Sequence, residues 1–342
     1  NSGQTVGKIT VKPQGVMPLT YTVEANGDDT YQNFEIDGLS NGTSSSTSLN
    51  VKIKGDAPDL VNGGLKAGTY KFCITAIDEN GDPVDTSGNP TEKVCTSFTV
   101  EKTNPTIAFD DPSTTKKSIA DAATAWNETA TATPSTGTKI TYSITGGDVS
   151  LISINPDTGA ITYTGSNAFG KVKIRATVDD DPTTGNDNYN SAFVEKEIVI
   201  YREVDGSVTP HANSSDTTIP TFTASDSNIK TGGIIGTIHG TLGTPDTIGG
   251  STTTYHYGLK PGVGNASFFS VDPNTGVIKT TANLGVNSYH ITVTVSDNWS
   301  TKEIPVTINV GVAAAENLKF YENSTSNTVI TSKSACLTDT GV

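Results

Sequence analysis

The residues best placed to do chemistry in this chain are carboxylates. Asp179, Asp180, Asp181 and Asp187 crowd one loop, with Asn186 and Asn188 beside them. Calcium takes about six to eight oxygen ligands, and this loop offers four carboxylates and two amides. The spacing is not that of an EF-hand, which needs a glycine at its sixth position and a glutamate at its twelfth. A solvated acidic turn is the simpler and favoured reading. Asp78, Glu79, Asp82 and Asp85 form a weaker cluster of the same kind. Tyr255 and Tyr257 share one face of an expected strand, and with Trp299 they offer rings on which a sugar could stack. Ordinary core or cross-strand packing is the simpler account of them, since strands are rich in aromatics anyway.

Nothing resembles a catalytic set. There is no G-x-S-x-G and no H-E-x-x-H, and His211, His239, His256 and His290 are scattered. The chain reads as non-catalytic and without a cofactor, the acidic loop being its one candidate calcium site. The cysteines are Cys73, Cys95 and Cys336, with no C-x-x-C and no Cys/His cluster, so zinc is not indicated.

The elements that would hold these residues are strands. Residues 153–161 read Ser-Ile-Asn-Pro-Asp-Thr-Gly-Ala-Ile, and residues 270–278 read Ser-Val-Asp-Pro-Asn-Thr-Gly-Val-Ile. Pro156 and Pro273 fix φ at the first corner of a tight turn, and Gly159 and Gly276 supply positive φ at its exit. β-formers alternate on either side. This is a strand–turn–strand unit that occurs twice.

Composition agrees with an all-β chain. Of 342 residues only 33% are hydrophobic and 17% charged. Thr, Ser, Asn and Gly fill the gap, as suits short strands joined by polar turns. The net charge of −14 disfavours nucleic acid and anionic lipid as partners. No apolar run reaches about 18 residues, so no membrane span is expected. No leader peptide is legible, which suggests a mature or trimmed segment of a larger protein.

Three units of roughly 100 residues follow, the size of an Ig-like sandwich. They are 1–102, 103–202 and 203–312, with a tail or partial domain at 313–342. Each ends alike: a strand closed by Asp, a loop, then a last strand. The joins are a few residues long, which predicts tandem sandwiches in a rod. In the first unit Phe72, Ile74 and Ala76 alternate with Lys71, Cys73 and Thr75, and Val94, Phe98 and Val100 alternate with Cys95 and Ser97. If these two strands pair, Cys73 faces Cys95 on the outer surface, and a disulfide is predicted. Tyr70 after Ala-Gly-Thr has the placement of a tyrosine corner. Residues 119–126 are expected to be strand or irregular, since nothing caps a helix there. Strands are also expected at 252–257 and at 303–310, where Pro305 marks an edge or bulge. In the tail, Leu318 and Phe320 alternate with Lys319 and Tyr321, and residues 328–331 form a second β-patterned stretch. A lone hairpin there is marginal and wants a partner sheet, either on the third unit or on another chain.

The second unit resembles the bacterial Ig-like repeats of invasin- and intimin-type surface proteins. The matching residues are Ile140-Thr-Tyr-Ser143, the hairpin at 154–161 and the strand at 170–177. The third resembles bacterial cadherin-like repeats through residues 269–278 and 289–297, and the first shares only residues 70–78. The resemblance implies Ig-like and cadherin-like β-sandwiches of a secreted or surface protein. Cadherin repeats hold calcium between domains, and Ala76-Ile-Asp78 and Ser296-Asp297 match the last element of that site. The Leu-Asp-x-Glu element is replaced by Thr281-Ala-Asn-Leu284, and the Asp-rich linker is missing, so the resemblance does not carry that calcium over.

The reading is therefore an extracellular, non-catalytic structural or adhesion protein at a cell surface, lipid-anchored or virion surface. Its expected partners are other proteins, surface glycans or further copies joined through the tail. A glycan-binding accessory protein and a phage decoration or fibre protein are the alternatives.

Overall fold

The computed structural model describes residues 1–10, 18–46, 48–61, 64–84, 93–184, 187–248 and 252–312. The expectations for the tail, including Leu318, Phe320 and Cys336, lie outside the described residues, as do those for Asp85 and Asn186.

The chain is all-β, built of tandem sandwiches. Residues 5–100 carry β1 (Thr5–Thr10), β2 (Leu19–Glu24), β3 (Phe34–Ile36), β4 (Thr43–Ser44) and β5 (Ser48–Ile53). They continue with β6 (Leu60–Val61), β7 (Gly64–Leu65), β8 (Gly68–Ile77) and β9 (Val94–Val100). One sheet has the order β1-β5-β3 and its partner β4-β2-β8-β9. Phe34, Val51, Ile53, Tyr70 and Phe72 form the core between them. Phe34 packs edge-on against Tyr70 and Phe98.

Residues 106–201 carry β10 (Thr106–Phe109), β11 (Thr115–Ser118), a single helical turn α1 (Ile119–Ala122), β12 (Trp126–Asn127) and β13 (Ala130–Thr133). After them come β14 (Thr138–Gly147), β15 (Ile152–Ile154), β16 (Ala160–Tyr163), β17 (Gly170–Asp180) and β18 (Ala192–Tyr201). Their sheets are β10-β13, β12-β16-β15 and β11-β18-β17-β14. The helical turn corrects the expectation of strand at 119–122. Ser118 supplies the missing cap, its hydroxyl accepting from the Asp121 N–H at 3.1 Å.

Residues 204–311 carry β19 (Val204–Pro210), β20 (Thr221–Thr223), β21 (Ile234–Leu242) and β22 (His256–Leu259). They end with β23 (Phe269–Val271), β24 (Val277–Thr280), β25 (Asn287–Ser296) and β26 (Thr301–Gly311). The sheets are β19-β21-β24-β23 and β20-β26-β25-β22. The strand expected from residue 252 begins only at His256. Pro305 lies in β26 opposite Thr292 of β25. On its other side β26 is paired only at residues 309–311, by β20, so the missing N–H sits on a one-sided stretch.

The three sets of sheets share no strand. By contact density the chain instead forms two compact units. One is Asn1–Thr115 with Ala123–Thr164 and Val172–Ile198; the other is Lys116–Ala122, Gly165–Lys171 and Val199–Val342.

The repeated hairpin works as a clasp between sheets. In the first copy the Asn155 side chain accepts from the N–H groups of Asp157 and Thr158 at 2.9 and 3.0 Å. In the second, Asp272 accepts from Asn274 and Thr275 at 3.0 and 2.8 Å. The turn then reaches across. The carbonyls of Pro156 and Gly159 accept from Tyr142 and Glu128, as those of Pro273 and Gly276 do from Tyr257 and Ile238. Glycine is required twice over at Gly276. Its φ is +69°, and a Cβ would lie 2.5 Å from the Ile238 carbonyl oxygen.

Candidate functional site

The acidic loop is held by its own turn and by a lysine. Asp180 ends β17, and its Oδ1 accepts from the N–H groups of Asn188 and Tyr189 at 2.8 and 3.1 Å. The Lys102 ammonium hydrogen-bonds Asp187 and lies 3.9 Å from Asp180 Oδ2. The bond to Asp187 holds that ammonium's pKa above its ordinary value. Asp181 turns away, accepting from the Thr183 N–H and hydroxyl, which hold its carboxyl below the usual range. Asp179 accepts from the Asp180 N–H. Calcium does not fit this set as arranged: a cation already stands between two of the carboxylates, and the others close turns. Among the described residues no three acidic, His or Cys side chains group together for a metal.

The two aspartates that match the cadherin element also close turns. Asp78 Oδ1 accepts from the N–H groups of Asn80 and Asp82. Asp297, only 9% exposed, accepts from Trp299 and Ser300 on one oxygen and from Thr244 on the other, at 2.7–3.0 Å. Thr244 in turn bonds the Arg202 N–H and carbonyl through its hydroxyl. Asp297 thus ties the end of β25 to the segment that enters β19. Its oxygens are occupied by backbone donors.

The aromatic residues do not form one open platform. Tyr255 and Tyr257 pack against the core of residues 204–310. The Tyr255 ring lies where a Cβ on Gly240 would be, and its hydroxyl donates to the Leu242 carbonyl at 2.8 Å. Tyr257 lies over the clasp glycine, Gly276. Trp299 stacks on Tyr201 with centroids 6.4 Å apart, with the Lys116 ammonium over its ring. Its Nε1–H donates to the Pro245 carbonyl at 3.2 Å. Each ring thus has packing or hydrogen-bond contacts within the fold.

Cys73 and Cys95 are directly opposite in the β8–β9 register and are joined by a disulfide. One part of the expectation is corrected. Cys95 is exposed but Cys73 is fully buried, because β8 lies between β2 and β9, and Glu24 and Cys95 flank it on either side. Tyr70 makes the expected corner: its hydroxyl donates to the Lys66 carbonyl at 2.9 Å. Burial, then the Asp59 charge, pushes that hydroxyl up to about 12. Tyr289 repeats the corner on Gly285 at 3.2 Å.

The feature that sequence reading missed is a cleft in the first sandwich. Its volume is about 450 Å³, and Val6, Ile9, Ile74, Val94 and Phe98 are among its lining residues. It lies between β1 and β9, each of which ends its sheet and has one partner strand among the described residues. Val94 is on the face of β9 that lines the cleft, yet it is 65% exposed. The last sandwich shows what covers this position elsewhere. There β21 pairs with β19 on one side and β24 on the other, and β26 has β20 beside it. Phe222, at the centre of β20, is 1% exposed and plugs the core. By sheet order β1 corresponds to β21 and β9 to β26, and nothing among the described residues corresponds to β19 and β20. The cleft thus runs along two sheet edges that are unpaired among the described residues, with an apolar floor.

No family model and no curated protein matches the chain. Among solved structures it is similar to Drosophila N-cadherin EC1-3, at 14% identity over 92% of this chain and 94% of that one, with a TM-score of 0.34. Mouse cadherin-23 EC22-24 gives 19% identity, 86% of each chain and a TM-score of 0.27. Sidekick-1 immunoglobulin domains 1-4 give 13%, 90% of this chain, 72% of that one and 0.32. Likeness at these TM-scores carries no conclusion, and the fold rests on the sheets described above.

Proposed function

We propose that this chain is a non-catalytic extracellular adhesion or structural protein that works by docking other protein segments onto an open strand edge. The observation that carries this reading is the cleft between β1 and β9. Backbone groups along two edges unpaired among the described residues, and an apolar floor, suit an added β-strand, not a small polar substrate. The Cys73–Cys95 disulfide supports an oxidising, extracellular setting. The bacterial surface repeats named above supply the biological setting, with Ig-like and cadherin-like sandwiches at 1–102, 103–202 and 203–312. The separate sets of sheets support that division.

Docking of this kind needs no calcium, because the acids that could bind it are engaged by Lys102 and by turn N–H groups. Beads coated with the full chain should cluster, or bind a target surface, equally well in calcium and in chelator. Val94→Arg places a charge in the cleft at an exposed position, and it should abolish binding while leaving the melting temperature unchanged. Binding that survives Val94→Arg, or that vanishes in chelator, would overturn the reading.

A further inference from the structure

We propose that the cleft between β1 and β9 receives residues 317–321 of a second copy of this chain, so that copies join head to tail. This rests on the docking reading above and names its partner. The occupant is specified by the last sandwich. β20 lies parallel to β26, and it alternates Thr221, Phe222, Thr223 so that one aromatic enters the core between two polar residues. A segment fit for the equivalent place beside β9 must be extended, apolar on one face and polar on the other. Residues 313–342 lie beyond the described part, and 317–321 read Asn-Leu-Lys-Phe-Tyr. Leu318 and Phe320 fall on one face of a strand, with Lys319 and Tyr321 on the other.

The incoming strand runs parallel to β9, as β20 does to β26, and lies across the cleft from β1. Phe320 takes the place that Phe222 has in the last sandwich, over Val94 and Phe98. Cleft and donor segment belong to opposite ends of the sequence, and each copy carries one of each. A pairing of unlike surfaces leaves a free cleft on one copy and a free donor on the other, so further copies can add.

The experiment uses full chains with one half of the pair blocked. Val94→Arg blocks the cleft; Leu318→Asp with Phe320→Asp blocks the donor. By light scattering, the unaltered chain should grow in mass with concentration, and each blocked variant alone should stay monomeric. An equal mixture of the two should stop at the dimer, since one intact cleft and one intact donor remain. Unchanged melting temperatures in both variants confirm that the folds are intact. An unaltered chain that stays monomeric at its highest soluble concentration overturns the proposal, as does a mixture that forms no dimer. Bead clustering separates the two levels. Clustering lost with Val94→Arg but kept with the donor variant leaves the docking reading standing and removes this partner. Clustering kept in both variants removes the partner and the docking reading together.

Discussion

At the residue scale, polar groups in this chain act as locks. The clearest is Lys196, 2% exposed at its side chain, whose ammonium meets Glu128 at 2.5 Å and the Asp111 carbonyl at 2.8 Å. The other Glu128 oxygen accepts from the Thr115 hydroxyl and the Trp126 ring N–H, so both carboxylate oxygens are bonded. Lys196→Met would leave a buried carboxylate without its counter-charge. A loss of about 3–5 kcal/mol is expected in urea unfolding, and the double variant Lys196→Met with Glu128→Gln should recover part of it. This lock was legible in principle. Lys196 is in phase with Val194, Ile198 and Ile200 along its strand, so alternation alone turns it inward. Its partner was not legible, because Glu128 lies far off in sequence, in the short link between β12 and β13, where no alternation marks it. The partners of the acidic loop were hidden for a related reason. The run of aspartates at the end of β17 does not reveal Lys102 or the backbone donors that engage it.

The elements follow from local rules where those rules are strong. Both copies of the Pro-Asx-Thr-Gly turn form where their residues require, each with an Asx side chain capping two N–H groups. Their reach across to Tyr142 and Tyr257 was not readable, since it depends on sheet packing. That reach is why Tyr257 is a packing residue. The two copies differ at the capping position, Asn155 against Asp272, and this sets a pH test. Bonds from Thr275 and Asn274 hold the Asp272 carboxyl below the usual range. A depressed folded pKa stabilises above the unfolded value, near 3.9, and that contribution is lost as pH falls through the folded value. Asp216 and Asp181 shift the same way, bonded to Thr218 and to Thr183 respectively. Stability should therefore be flat from neutrality to about pH 5 and fall below pH 4. Asp272→Asn, which copies the other turn, should keep neutral stability and soften the acid loss in a denaturation series. The β8–β9 pair offers a second test at this scale. Its disulfide spans a sequence separation of 22, and reduction should cost about 3 kcal/mol, read as a lower melting temperature in reductant.

On the scale of the whole molecule, tandem sandwiches were legible from turn repeats, strand alternation and the shared endings of the units. The open edge of the first sandwich was not. Alternation turned Val94 and Phe98 to one face, and both line the cleft, but Val94 is exposed rather than buried, since a one-strand pattern does not show whether a neighbouring strand covers it. The comparison needed is between β1-β5-β3 and β19-β21-β24-β23, and that exists only once sheet order is known. On the docking reading, β1 and β9, whose outer edges are unpaired among the described residues, are where the protein meets its partner. Hydrogen exchange of the full chain, dilute and then concentrated, tests it most directly. In dilute solution the amides of β1 and β9 should exchange faster than those of the paired β25 and β26, and on concentration residues 5–10 and 94–100 should gain protection while 287–310 stay unchanged. Edges equally protected at both concentrations, or protection gained outside these edges and residues 317–321, would contradict docking at β1 and β9.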